Sequence, residues 1–228
     1  MKVYLAGFKT IEKHWGEPTE DIYLLSSFYE HKNGAYGAYV RQSRHMLDSG
    51  AFTFIQNKKK TTGWDEYIER YAQFINENNI DLFFELDIDS VVGLKEVERL
   101  RDKLETLTNK KSIPVWHKSR GQAYWLAMCE EYDYVAIGGI ASGEIKKDEY
   151  RFFPTLINLA KERGAKVHGL GFTSVPLLFK YRFYSVDSTT WNVGGKYGNV
   201  CVIDLCRASE RPTKETERDE SGRCYASA

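Results

Sequence analysis

Hydrophobic runs long enough to cross a bilayer are missing from this 228-residue chain, so no membrane contact is expected. The first residues, Met1-Lys2-Val3-Tyr4-Leu5-Ala6-Gly7, carry one positive charge and a short apolar run. They read as a first strand rather than a signal peptide. Net charge is missing too, because 32 lysines and arginines balance 32 aspartates and glutamates. No global field advertises nucleic acid, although a local basic patch is sufficient to bind it. Such patches are Lys58-Lys59-Lys60, Lys110-Lys111, Lys118 with Arg120, and Lys146-Lys147. The four cysteines, Cys129, Cys201, Cys206 and Cys224, show no Cys-x-x-Cys spacing. Free thiols in a reducing cytoplasm are the expectation, rather than a disulfide framework or a metal site. No internal repeat or interdomain linker breaks the chain. One domain over residues 1–207 is expected, followed by a charged, apolar-poor tail over 208–228.

What is present is an alternation of short apolar runs and helical patterns. Val3–Ala6 is a strand, and Ile22–Phe28 is a strand or a buried helix segment. Met46-Leu47 ends on Asp48, and the turn Ser49-Gly50-Ala51 follows. Phe8 to Arg44 reads as an irregular insertion, with turns at Asn33-Gly34 and Tyr36-Gly37. Gln56 to Gly63 is a polar basic loop. Trp64, Tyr67, Ile68, Tyr71, Phe74 and Ile75 recur at helical spacing, which makes those aromatics core residues. Further strands are expected at Leu82–Asp87, Ile113–His117, Tyr134–Ile137, Lys166–Gly171, Phe183–Asp187 and Asn199–Asp204. Helices are expected around Leu94–Leu107, Gln122–Tyr132, Phe152–Ala160 and Val175–Tyr181. This rhythm predicts an α/β fold with a parallel sheet of about eight strands. That count suits a TIM-like (β/α)8 barrel, single-domain, with a degenerate last helix.

In such a barrel the active site lies at the C-terminal ends of the strands. Asp48, Asp87, His117, Gly138-Gly139, Gly169, Gly171 and Asp187 all fall there. Each has an ordinary explanation. Asp48 and Asp187 could cap turns, Asp87 could pair with a lysine or arginine, and His117 could be structural. The glycines could be mere turn residues or could cradle a phosphate. His14, His31, His45 and His168 read as structural histidines.

Four segments together resemble the tRNA-guanine transglycosylase superfamily. Leu47-Asp48-Ser49-Gly50-Ala51-Phe52 is similar to that family's Asp-Ser-Gly-Gly-Phe motif. Ala136-Ile137-Gly138-Gly139-Ile140-Ala141-Ser142-Gly143-Glu144 is similar to its Gly-Gly-Leu-Ala-x-Gly-Glu loop. His168-Gly169-Leu170-Gly171-Phe172-Thr173 resembles its Met-Gly-Val-Gly-Thr segment, and Asp187 falls where the family has its second catalytic aspartate. The likeness runs in order from about Leu47 to Ser188. Three features depart from it. The family's zinc site of three close cysteines and a histidine has no counterpart, since Cys201, Cys206 and Cys224 are wrongly spaced and no histidine follows His168. Thr189-Thr190-Trp191 stands where the family has an arginine, and the chain is short. It therefore looks most like the compact phage-type DNA 7-deazaguanine transglycosylases.

The resemblance implies a pentosyltransferase that exchanges guanine for a 7-deazaguanine base at a nucleoside C1′; from the missing zinc ligands no metal is expected, and no other cofactor is expected either. It implies Asp187 as nucleophile and Asp48 as acid/base group. It implies Asp87 and His117 as base contacts, with Gly138, Gly139, Ile140, Gly169, Gly171, Ser49 and Gly50 as further substrate-binding residues and backbone groups of Gly139 and Ile140 touching the base. DNA is the expected polymer and tRNA the alternative, in the cytoplasm, or the host cytoplasm if the chain is phage-encoded. A protein partner or a second copy of the chain would supply the missing polymer surface. The alternatives are a non-catalytic nucleic-acid-binding relative and a barrel enzyme that binds a phosphorylated small molecule at Gly169-Leu170-Gly171.

Overall fold

The computed structural model describes residues 1–7, 22–31, 43–51, 63–172 and 174–189. Within them, seven parallel strands form one curled sheet. They are β1 (Lys2–Ala6), β2 (Tyr23–Ser27), β3 (Arg44–Asp48), β4 (Val115–Trp116), β5 (Tyr134–Ile137), β6 (Lys166–Gly169) and β7 (Ser185–Ser188). Their order across the sheet is β3-β2-β1-β7-β6-β5-β4. Helices cover the outer face: α1 (Trp64–Glu77), α2 (Asp89–Val92), α3 (Leu94–Thr108), α4 (Gly121–Glu131), α5 (Phe153–Glu162) and α6 (Val175–Leu178). The expected α/β architecture with a parallel sheet is thus present.

The segment Leu82–Glu85 lies between the two edge strands. Leu47 N–H donates to the Leu82 carbonyl and Phe84 N–H to the Leu47 carbonyl, both at 2.9 Å. On its other side Ile113 N–H donates to Phe83 (2.8 Å) and Glu85 N–H to Ile113 (3.1 Å). Only Phe83 and Phe84 reach bridge geometry. The apolar run that reads as a full strand is therefore a two-residue link. Tyr71 of α1 clasps one side of this junction, donating its hydroxyl to the carbonyls of Leu47 (3.2 Å) and Phe84 (3.1 Å). β1 pairs directly with β7, Leu5 beside Ser188, so no strand lies between them. The segments expected as a strand at Asn199–Asp204, a tail over 208–228 and a basic loop around Lys58–Lys60, together with Cys201, Cys206 and Cys224, lie outside the described residues.

Apolar side chains separate into an inner and two outer layers. Tyr4, Ala6, Leu25, Met46, Phe84, Ile113, Val115 and Ala136 fill the inside of the curl. Leu47, Phe83 and Leu86 pack outward against Tyr67, Ile68, Tyr71 and Ile75 of α1 and Val97, Leu100 and Leu104 of α3. Trp125 and Phe153 dominate the layer under α4 and α5. Asp65 and Glu66 in the first turn of α1 complement the helix dipole, and Asn109 ends α3 in the left-handed conformation that asparagine tolerates. Phe152, placed by helical spacing on an apolar face, is 52% exposed. It precedes α5 on a 3-10 turn, where the α-helical period no longer applies.

Beneath the link between the edges lies a buried ion cluster. Glu85 is fully buried, and its carboxylate accepts from Val115 N–H (2.8 Å), Arg120 Nη1 (3.2 Å) and Arg101 Nη1 (3.1 Å). Burial pushes the Glu85 carboxyl up, against the opposing pull of Arg120 and Arg101. Removing one partner from such a cluster strands the others without solvent. Glu85→Ala is expected to lower stability by about 3–5 kcal/mol in chemical denaturation, and Glu85→Gln by less.

Candidate active site

Parallel pairing puts every strand's C-terminal end at one mouth, and four polar side chains meet there. Asp48 ends β3, in register with Ser27 of β2. Asp187 sits on β7, Asp87 follows the Leu82–Glu85 link, and His117 follows β4. Both Asp87 and Asp187 are close enough to Asp48 for their charges to act on it.

Asp48 is partly buried, and its carboxyl is raised from 3.8 to about 7. Burial is the largest cause, and the negative charges of Asp87 and Asp187 add to it. Hydrogen bonds from the Gly50 and Ser49 backbone pull the other way without prevailing. The turn that places Asp48 depends on Gly50, at φ +68°. A Cβ there would lie 2.4 Å from Ser27 Oγ and 2.5 Å from Tyr29 Cβ. Ser49 is buried, and its carbonyl accepts the Tyr67 hydroxyl at 2.5 Å.

Asp87 is compensated differently. His117 Nε2 donates to Asp87 Oδ1 at 2.6 Å, and His117 Nδ1 donates to Glu144 Oε2 at 2.7 Å. Burial disfavours the charged imidazole, yet the two carboxylates outweigh it and raise His117 from 6.5 to about 9. His117 is then an imidazolium at neutral pH, donating from both nitrogens. Among the described residues, nothing bonds the second oxygen of Asp87. Gly138 packs on the imidazole, where a Cβ would come within 2.8 Å of His117 Cε1. Gly139 has φ +79°, and a Cβ on it would lie 2.7 Å from Glu144 Oε2. The amide N–H groups of Gly139 and Ile140 have no partner among the described residues, whereas their carbonyls accept from Ile145 and Gly143.

Asp187 is 8% exposed and has two donors on one oxygen. Gly171 N–H reaches Oδ1 at 2.6 Å and His168 Nε2 at 3.2 Å. His168, expected to be structural, is fully buried and touches the second carboxylate of the site. A period-2 pattern on β7 places Ser185 and Asp187 on the same face, and β6 lies alongside with His168 in register with Ser185. That pairing was not readable without the strand order. Glu144 is a further site residue that its local sequence does not mark, although it closes the Gly138-Gly139 loop. Gly169 packs against Phe183 and Phe172. His31 and His45 share Ser26 at 3.0 and 2.6 Å. His14 lies outside the described residues.

Asp87, Asp89 and His117 bring ligand atoms within 4.8 Å of one another, a spacing that a metal ion could bridge. Their charges are already compensated by cations of the chain. His117 holds a proton between Asp87 and Glu144, and Arg120 Nε donates to Asp89 Oδ2 at 3.0 Å. A divalent ion would have to displace the first and face the second.

No protein-family model matches this chain, and no curated protein is similar to it. Among the described residues no helix is long and apolar enough to cross a membrane.

The Asp48 shift has a consequence for stability. In the unfolded chain this carboxyl loses its proton near 3.8, and in the folded protein it keeps it to about 7. The folded state binds the extra proton across that window, so Asp48's contribution to stability falls as pH rises through it. Asp48→Asn removes this penalty. Its stability relative to wild type is expected to rise between pH 4 and pH 8 by on the order of 2–4 kcal/mol, measured by denaturant unfolding at each pH.

Proposed function

We propose that this protein is a base-exchanging pentosyltransferase, a guanine transglycosylase that replaces guanine by a 7-deazaguanine in DNA, with tRNA as the alternative polymer. The observation that carries this reading is the meeting of three aspartates at one mouth, each in a different environment, with Asp48 poised near neutral pH. A two-step displacement needs one carboxylate that stays ionised and one that trades a proton. We read the curled sheet as a (β/α)8 barrel closed by Leu82–Glu85 as its eighth strand, which puts the mouth where such folds do their chemistry.

In the first step an Asp187 oxygen attacks C1′ of the guanosine. The C1′–N9 bond breaks with its electron pair moving to the guanine, and Asp48 supplies the proton that neutralises the leaving base. A covalent glycosyl–aspartate remains. The incoming 7-deazaguanine then gives its N9 proton to the Asp48 carboxylate, and its nitrogen attacks C1′, releasing Asp187. Two inversions retain the configuration. The free oxygen of Asp87 suits the N1–H and exocyclic amine of either base. The open N–H groups of Gly139 and Ile140 suit the C6 carbonyl beside N1–H, and His117 donates to the other oxygen of Asp87.

The phosphate-binding alternative has less support. Leu170 N–H is bonded to the Ile137 carbonyl, Phe172 N–H to Gly169, and Gly171 N–H to the Asp187 carboxylate. A cradle whose donors are taken, one of them by an anion, offers a phosphate little.

The test is incubation with labelled guanine and either duplex DNA or tRNA. Label is expected to enter one polymer, and a protein–nucleic acid adduct is expected to survive denaturing electrophoresis. Asp187→Ala should abolish both, and Asp48→Asn should slow exchange by about 10²–10⁴-fold. Absence of label from both polymers, with no adduct, would overturn the proposal.

A further inference from the structure

The mouth of the site continues downward through a chain of side chains. His168 Nε2 lies 3.2 Å from Asp187 Oδ1, and His168 Nδ1 lies 2.6 Å from Ser185 Oγ. Ser185 Oγ in turn meets the Tyr134 hydroxyl at 2.5 Å. His168 and Ser185 are both fully buried. The imidazole is held edge-on to Tyr4 at 6.0 Å and tilted on Phe84 at 5.4 Å between ring centres.

The order Ser185–His168–Asp187 has the contacts of a hydrolytic triad, but its direction is wrong for one. A nucleophilic serine must face the substrate. Here the serine lies at the sealed end, under Tyr134, and the aspartate lies at the open end. The chemistry therefore runs the other way, with the carboxylate reacting and the serine orienting.

We infer that His168 is a positioning residue, held by Ser185 and Tyr134 as the Nε2–H tautomer, which fixes the Asp187 carboxylate so that Oδ2 is the oxygen that attacks C1′. This rests on the base-exchange reading of the site. A carboxylate accepts but cannot donate, so Nε2 carries the hydrogen. Ser185 then donates to Nδ1 and accepts from Tyr134, which gives every polar atom of the chain a partner. Gly171 N–H and His168 both bind Oδ1, and among the described residues nothing binds Oδ2. The bonded oxygen is held by two donors that cost nothing to arrange during the reaction, and the other keeps its electron pair for the sugar.

Two measurements test this on the full chain. In the first, ¹⁵N-labelled protein without substrate should show His168 protonated on Nε2 and bare on Nδ1. Ser185→Ala should mix the tautomers. A proton found on Nδ1 alone in the wild type overturns the inference whether or not the protein exchanges bases. In the second, exchange kinetics are compared at saturating polymer. His168→Leu should lose about tenfold or more in kcat with KM for the polymer unchanged, the loss expected for one hydrogen bond to a charged group. His168→Gln, which keeps an N–H donor, should recover most of that loss. Should His168→Leu fail to fold, Ser185→Ala decides, with a fall of a few-fold in kcat and no change in KM. Wild-type kcat in folded His168→Leu, or in folded Ser185→Ala where that variant decides, or an equal rise in KM would contradict the assignment. A wild type that exchanges no base, yet shows the Nε2–H tautomer, would instead refute the base-exchange reading alone.

Discussion

Asp48, Asp87 and Asp187 converge at one mouth of the sheet, and like charges so placed repel unless each is compensated. Asp48 escapes by holding its proton to about pH 7. Asp87 is offset by the His117 imidazolium, and Asp187 by a backbone N–H and a buried histidine. The three solutions are unequal, and on the proposed base-exchange reading this inequality is what would set acid, ligand and nucleophile apart among residues of one chemical type. Each solution needs a particular backbone. Gly50 lets the chain turn beneath Asp48, Gly138 leaves room for His117, and Gly171 turns its N–H onto Asp187.

The layer below the acids is cross-linked by buried ion pairs. Glu85 takes Arg101 and Arg120, and Arg120 also takes Asp89, so the chain on both sides of Asp87 is tethered. Arg120 belongs to the turn that follows His117, so the same guanidinium fixes the segment carrying the partner of Asp87. Tyr71 and Tyr67 of α1 grip the carbonyls of Leu47 and Ser49 on either side of Asp48. At the opposite end of the sheet Lys2 and Lys166 sit over the Tyr184 ring.

Much of this was legible in the sequence, for identifiable reasons. Apolar runs that end on an acid or a glycine mark buried parallel strands, and Asp48 and Asp187 both lie on strands of the sheet. The helical period of Tyr67, Ile68, Tyr71 and Ile75 located α1 and its buried face. Less legible were features set by neighbours rather than by the local pattern. Leu82–Asp87 has the composition of a strand, yet only two of its residues bridge. His168 looks like any core histidine until β6 is laid beside β7. Phe152 fits a helical stripe but precedes the helix.

Crowding and burial together, rather than any local feature of Asp48 alone, keep that carboxyl protonated near neutrality. The direct measurement is a carboxyl-detected ¹³C titration of the aspartates in the wild type and in Asp187→Asn. One aspartate is expected to titrate near 7, to vanish from the titration in Asp48→Asn and to shift downward in Asp187→Asn as a neighbouring charge is removed. Aspartates that all titrate in the ordinary carboxylate range, or an Asp48 indifferent to Asp187, would contradict it.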